Sequence, residues 1–463
     1  MTEKSSNARF EELRSRYPVF TYEDFSWQVH EGKLELHFHF HINNEFHFRP
    51  VHRIDISRFS CRHISTQALR NTVFHIGLIE LISYWKASCA PRVHIRPRKL
   101  NAEQMQWWKK LYFHGLGEFF YLNGIDTDQE SFLEFTFDRR IRPASDPFKA
   151  TLEDACLIPV GGGKDSVVTL NLLSPLPAQA AALVINQREA TRQCIATAGL
   201  SDHTLEIERT IDPLLIELNN KGFLNGHTPF SALLAFESIL AALITRKRHI
   251  VLSNESSANE ATIPGTLINH QYSKSFDFEQ DFRWYINRFM CPEINYFSFL
   301  RPLNELQIGA LFAGSTAYHK VFRSCNVGSK TDSWCCNCPK CLFTWIMLAP
   351  FLPHQQLIDV FGQDLWQKES LRGTLMQLSG LAAEKPFECV GTIAEVNASL
   401  EHMCRQFPAE SLPLLLRIYH ESTQGVSFAS VNEELRYWNT HHNLRPSFAQ
   451  ILTDALEKVK LNA

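Results

Sequence analysis

Between residues 34 and 42 apolar side chains fill every second position (Leu34, Leu36, Phe38, Phe40, Ile42), with Glu35, His37, His39 and His41 between them. A period of two marks a strand with one buried face, and Asn43-Asn44 supplies a turn, so Trp27 to Phe48 predicts a hairpin. Three histidines on one strand face are a metal set in outline, but alternate positions on a single strand rarely close a ligand sphere; a solvated face is the simpler reading. Leu69, Val73, Ile76, Ile79, Leu81 and Ile82 then recur at helical spacing, predicting a buried helix from Thr66 to Cys89 behind a threonine cap. Ala102 to Leu122, with Trp107, Trp108, Leu111 and Tyr112, predicts a second helix, and Ser131 to Phe137 a strand. Arg139-Arg140-Ile141-Arg142-Pro143 reads as a linker. Residues 1–145 thus form an expected N-terminal α+β domain.

From Ala150 the pattern alternates between short apolar runs and helical stretches, as in a parallel sheet covered on both faces. Strands are expected at Ala180 to Ile185, Thr204 to Ile207 and His249 to Leu252. Helices are expected at Glu189 to Ala198, after Thr228-Pro229 with Thr228 as cap and Pro229 in the first turn, and from the stretch Phe299 to Leu306, with a Pro302-Leu303 start, through Ile308 and Leu311. This domain spans 150–345. Residues 346–463 read as a helical C-terminal region, with Leu435 to Asn439 and His441-His442 left without an element.

The chain has 463 residues, a net charge of −3, 44% hydrophobic and 21% charged residues. That is a globular protein of more than one domain, with no electrostatic reason to bind nucleic acid. Polar, mixed-charge residues open the chain, and no apolar run is long enough for a bilayer, so a cytoplasmic protein with no membrane partner is expected. Twelve cysteines, five of them between 325 and 341, do not resemble a secreted disulfide framework and point to metal or reactive thiols.

The chemistry centres on Leu157-Ile158-Pro159-Val160-Gly161-Gly162-Gly163-Lys164-Asp165-Ser166: an apolar strand, three glycines, then a helix start. Glycines let the backbone approach an anion, and the N–H groups of the following helix donate to it. Gly161, Gly162, Gly163, Lys164, Asp165 and Ser166 are therefore candidate nucleotide-binding residues. Lys164 followed by Asp165 excludes the Walker A pattern. Polar residues leaving the carboxyl end of the strand at Leu252 fall where an open parallel sheet binds ligands. There Asn254 is a candidate cofactor contact, and Glu255 and Glu260 join Asp165 as candidate Mg²⁺ ligands. Cys325, Cys335, Cys338 and Cys341 have the spacing of a Zn²⁺ knuckle. Cys336 is left over; free reactive thiols remain the competing reading, and they make Cys336 a candidate catalytic residue beside Asp165.

Gly162, Gly163, Asp165 and Ser166 resemble the S-G-G-x-D-S signature of PP-loop ATP pyrophosphatases, with Gly161 in place of the usual serine. The segment from about 150 to 345 is similar to 7-cyano-7-deazaguanine synthases, which also carry a cysteine knuckle. The layout of the whole chain resembles the UDP-N-acetylmuramoyl-L-alanyl-L-glutamate epimerase family (MurL type). That resemblance implies an α/β fold with a PP-loop (HUP-like) sheet domain. It also implies inversion of the terminal L-Glu of a UDP-linked muramoyl dipeptide, using ATP and Mg²⁺, through an acyl-adenylate that releases AMP and pyrophosphate. Nothing calls for PLP. An adenylating amide- or nitrile-forming ligase and a non-catalytic nucleotide-binding protein are the alternatives.

Overall fold

The computed structural model describes residues 3–139, 143, 147–174, 179–259, 269 and 272–459. It is mixed α/β, with eleven strands among the described residues, an N-terminal α+β region and a helical C-terminal region. The chain forms two compact units, each gathered from separate stretches: Met1–Leu157, Leu205–Ile250 and Leu267–Asn295 in the first, Ile158–Thr204, Val251–Thr266 and Tyr296–Ala463 in the second. No helix among the described residues is long and apolar enough to cross a membrane. Arg140 to Arg142 of the expected linker lie outside the described residues.

In the first unit the predicted alternation is realised in the strand Lys33–Ile42: Leu34 through Ile42 on the even positions are buried, and the histidines between them are half-buried. This strand pairs antiparallel with Val19–His30, Val51–Asp55 and Phe46–Phe48. One hairpin turn lies at Glu31-Gly32 and another at Asn43-Asn44, all four residues having positive φ, the backbone that such tight turns demand.

The helix Thr66–Trp85 is capped by Ser65, whose side chain accepts from the Ala68 N–H, and not by the threonine expected for that role. Every residue from Asn71 to Trp85 is buried, so it is a core helix without a solvent face, and it packs against Phe230–Thr245. That second helix also departs from expectation, since Pro229 takes the cap position and no side chain, Thr228 included, caps it. The stretch from Ala102 to Leu122 breaks at Leu116 into two helices.

Four charged side chains in this core are paired. His52 Nδ1 meets Glu237 Oε1, its Nε2 lies 3.5 Å from Glu80 Oε2, and Arg209 Nε donates to Glu80 Oε2 at 2.8 Å. Two cations thus face two carboxylates, as burial requires. The contacts with Glu237 and Glu80 overcome burial and raise His52 to about 9.

In the second unit the strand Ala180–Ile185 is apolar and almost wholly buried, and the Val160 N–H donates to Leu183 O at 2.9 Å. Around it stand helices that include Lys164–Leu173, Glu189–Thr197, Glu305–Ala313, Pro339–Leu348, Ile393–Gln406 and Pro446–Leu456. Lys164–Leu173 packs against Glu305–Ala313, which packs in turn on Pro339–Leu348 and Ile393–Gln406. Pro339–Leu348 and His354–Phe361 are separate helices, with Pro353 at the cap of the second; proline cannot continue a helix interior.

Candidate active site

The strand Glu153–Pro159 runs into the glycines, and Lys164–Leu173 begins directly after them. Gly162 has φ +81°, and a Cβ there would lie 3.0 Å from the backbone nitrogen of Thr191, so the position suits glycine alone. The Gly162 N–H donates to Ser166 Oγ at 3.2 Å, Ser166 Oγ donates to Gly163 O at 2.9 Å, and the Lys164 N–H donates to Ser324 Oγ at 3.2 Å. Ser324 was not foreseen; nothing in the local pattern marks a hydroxyl so far along the chain. Gly163 occupies the cap position and offers no side chain to cap the helix. A Cβ on exposed Gly161 would meet nothing within 4 Å, leaving room beside an uncapped helix N-terminus, the geometry that receives phosphate.

Behind the loop, Asp165, Glu255 and Glu305 can each bring one carboxylate oxygen to within 4.8 Å of the others. Glu255 and Glu305 are buried. The buried Lys164 ammonium touches both Asp165 and Glu305, and these contacts outweigh burial and raise it above the ordinary lysine range. Burial and the neighbouring carboxylates push Glu305 upward against the pull of Lys164. Because the ammonium touches two carboxylates, we assign the charged pair. Three convergent carboxylate oxygens beside a phosphate loop suit Mg²⁺. Of the expected ligands, Asp165 and Glu255 come together, Glu260 lies outside the described residues, and Glu305 takes a place that sequence reasoning did not give it. Asn254 donates to Ser298 Oγ at 3.1 Å.

A cavity of about 650 Å³ is lined by Ser256, Ser257, Asn304, Glu395, Glu434 and Tyr437, among others. It is one hydrogen bond from the carboxylate set on two sides. Ser257 Oγ donates to Glu255 Oε1 at 3.2 Å, and the Glu305 N–H donates to Glu395 Oε1. Glu395 is further fixed by Thr392, whose N–H and Oγ1 donate to its Oε2 at 2.8 and 2.6 Å.

Cys325, Cys335, Cys338 and Cys341 converge as their spacing predicts, all four sulfurs lying within 4.8 Å of one another. Sulfur separations are 3.9 Å (Cys325–Cys338), 3.7 Å (Cys335–Cys341) and 3.5 Å (Cys338–Cys341). A tetrahedron with Zn–S bonds of about 2.3 Å has edges of about 3.8 Å, so the set fits Zn²⁺. The Gly328 N–H donates to Cys325 Sγ at 3.1 Å. Cys336 stands apart. It is buried, its thiol donates to Phe361 O at 3.3 Å, and burial pushes it up, which describes a packed thiol and not an activated one.

A model described as the MurL N-terminal domain matches residues 11–299, and one described as the MurL C-terminal domain matches residues 321–430. The chain belongs to the MurL family. Among its curated relatives are proteins named UDP-N-acetyl-alpha-D-muramoyl-L-alanyl-L-glutamate epimerase. The one from Xanthomonas oryzae pv. oryzae is 36% identical over 70% of this chain and 72% of its own. The one from Micromonospora sp. is 31% identical over 80% and 83%, and that from Salinispora tropica 32% identical over 73% and 74%. No solved structure matches the chain.

Proposed function

We propose that this protein is an ATP-dependent epimerase of the cytoplasm that inverts the terminal L-Glu of UDP-N-acetylmuramoyl-L-alanyl-L-glutamate to D-Glu, in the making of the peptidoglycan precursor. The names of its relatives support the substrate. The observation that carries the ATP chemistry is the uncapped helix N-terminus behind Gly161 to Gly163, with Asp165, Glu255 and Glu305 converging beside it.

An α-hydrogen next to a carboxylate is a very weak acid, since its loss adds charge to an anion. Attack of the carboxylate on the α-phosphorus of ATP breaks the α,β-bridge, releases pyrophosphate and leaves an acyl-adenylate whose acyl group no longer carries the carboxylate charge, so that a side-chain base can remove the α-hydrogen. The glycine loop and helix N–H groups would hold the phosphates, and Asp165, Glu255 and Glu305 would hold Mg²⁺, which neutralises charge on the pyrophosphate leaving group. Water then cleaves the adenylate to AMP and the inverted product. Cys325, Cys335, Cys338 and Cys341 would hold a structural Zn²⁺.

Purified protein given ATP, Mg²⁺ and the L-Glu dipeptide substrate is expected to form AMP, pyrophosphate and D-Glu in the released hydrolysate. Formation of ADP, or inversion without nucleotide, would overturn the reading. Asp165→Asn is expected to abolish pyrophosphate release while the protein stays folded.

A further inference from the structure

Inversion through an adenylate needs a base at the α-carbon, and neither the phosphate loop nor the carboxylate set supplies a free one. Asp165 and Glu305 are engaged by Lys164, Glu255 Oε1 accepts from Ser257 Oγ at 3.2 Å, and all three are taken by the cation in the proposed reading. Glu395 has both oxygens committed, Oε1 to the Glu305 N–H and Oε2 to Thr392. Of the carboxylates lining the cavity, Glu434 remains. Asn304 Nδ2 donates to its Oε2 at 2.9 Å and to its backbone oxygen at 2.9 Å, which fixes the side chain, while Oε1 has no hydrogen-bond partner among the described residues. The same Asn304 caps the helix that carries Glu305, so the positions of Glu434 and the carboxylate set are coupled through one residue.

We propose that this cavity receives the glutamyl α-carbon and that Glu434 is the base that takes its proton. The inference rests on the reading of the protein as an adenylating epimerase. In the step, the α C–H bond breaks, the proton passes to Glu434 Oε1, and the electron pair delocalises into the acyl carbonyl as an enolate. A new C–H bond then forms on the opposite face with a proton from water, the hydroxide so formed adds to the acyl carbonyl and expels AMP, and Glu434 returns its proton to solvent. Burial, opposed by the Asn304 contact, raises Glu434 above the ordinary carboxylate range, which strengthens it as a base. The cavity walls also carry hydroxyls and amides, including Tyr437 Oη paired with Ser256 Oγ at 2.8 Å and Asn439 Nδ2 donating to that Oγ at 3.0 Å; these suit the amide and polar groups of a peptide end.

The test is Glu434→Gln, which keeps the shape and an oxygen for Asn304, measured in full-length protein with three readouts: substrate-dependent ATP–pyrophosphate exchange, deuterium entry at the α-carbon in D₂O, and inversion. The expected result is exchange within about twofold of wild type, with deuterium entry and inversion both lowered by about 10²–10⁴-fold, the usual share of a general base. Glu434→Asp is expected to recover part of both. Undiminished deuterium entry in Glu434→Gln would overturn the proposal, and so would equal loss of all three activities, which would move Glu434 to activation. Absence of ATP–pyrophosphate exchange in the wild type would instead bring down the adenylation reading, whatever the variant does.

Discussion

The ammonium of Lys164 and the carboxylate of Glu305, 141 positions apart in the chain, are in direct contact with both side chains buried. Removing one partner strands the other charge in the interior. Lys164→Met is therefore expected to cost about 3–5 kcal/mol of stability and to stop pyrophosphate release, whereas Lys164→Met combined with Glu305→Gln should recover part of the loss in stability. Denaturant melts of the three proteins check this; additive losses in the double variant would rule out the pairing.

Gly162 is the hinge of the phosphate loop. An alanine there carries the left-handed backbone penalty of about 1–2 kcal/mol and presses its Cβ on Thr191. Gly162→Ala is expected to lower the melting temperature and the apparent affinity for ATP, while Gly161→Ala, whose Cβ meets nothing, should leave the melt unchanged. Paired melts with and without ATP separate the two.

Elemental analysis is expected to find about one Zn²⁺ per chain. Cys341→Ser should lose the metal and lower the stability of the second unit, because the sulfurs close only around an ion. Cys336→Ser, outside the tetrad, should keep the metal. A metal-free wild-type protein of full stability would refute the site.

Two buried histidines set a pH window. His52 is raised to about 9 in the fold, burial being outweighed by Glu237 and Glu80. From an unfolded value near 6.5, its contribution, about 3 kcal/mol, is fully present below pH ~6.5 and is lost as pH rises through about 9. His75, depressed to about 4 by burial, acts in the opposite sense: the unfolded chain takes up the proton first, so stability falls as pH drops from ~6.5 toward 4. Thermal melts from pH 4 to 10 should peak near neutrality, and His52→Gln should flatten the alkaline limb.

Much of this architecture could be read from the chain because it rests on local rules. Alternation fixed the buried face of Lys33–Ile42, and the glycines marked the loop and the helix that follows it, which begins at Lys164. The cysteine spacing alone brought the four sulfurs together. Caps were harder, since Ser65 rather than the neighbouring threonine accepts from the Ala68 N–H, and either hydroxyl satisfies the same local pattern. What escaped was long-range. Glu305 and Glu395 meet across 90 positions, and Tyr437 and Asn439 reach Ser256 from a segment with no regular period. Only tertiary structure joins such residues. One signal was available for the first of these, because Asn304 and Gln307 form a capping box visible in the sequence, and it sets Glu305 in the first helical turn.

That capping box also holds the end of the chain. Gln307 Nε2 donates to Leu435 O and Tyr437 O at 3.1 and 2.8 Å, and the Asn439 N–H donates to Pro302 O at 2.9 Å. During synthesis the glycine loop and the carboxylates leave the ribosome long before Glu434, Tyr437 and Asn439, which complete the cavity wall. The pocket is therefore finished last, after the parts that handle nucleotide already exist. A nonsense mutation after Ser430 would spare the loop, the carboxylates and the cysteines yet leave the cavity open on the side of Glu434, Tyr437 and Asn439.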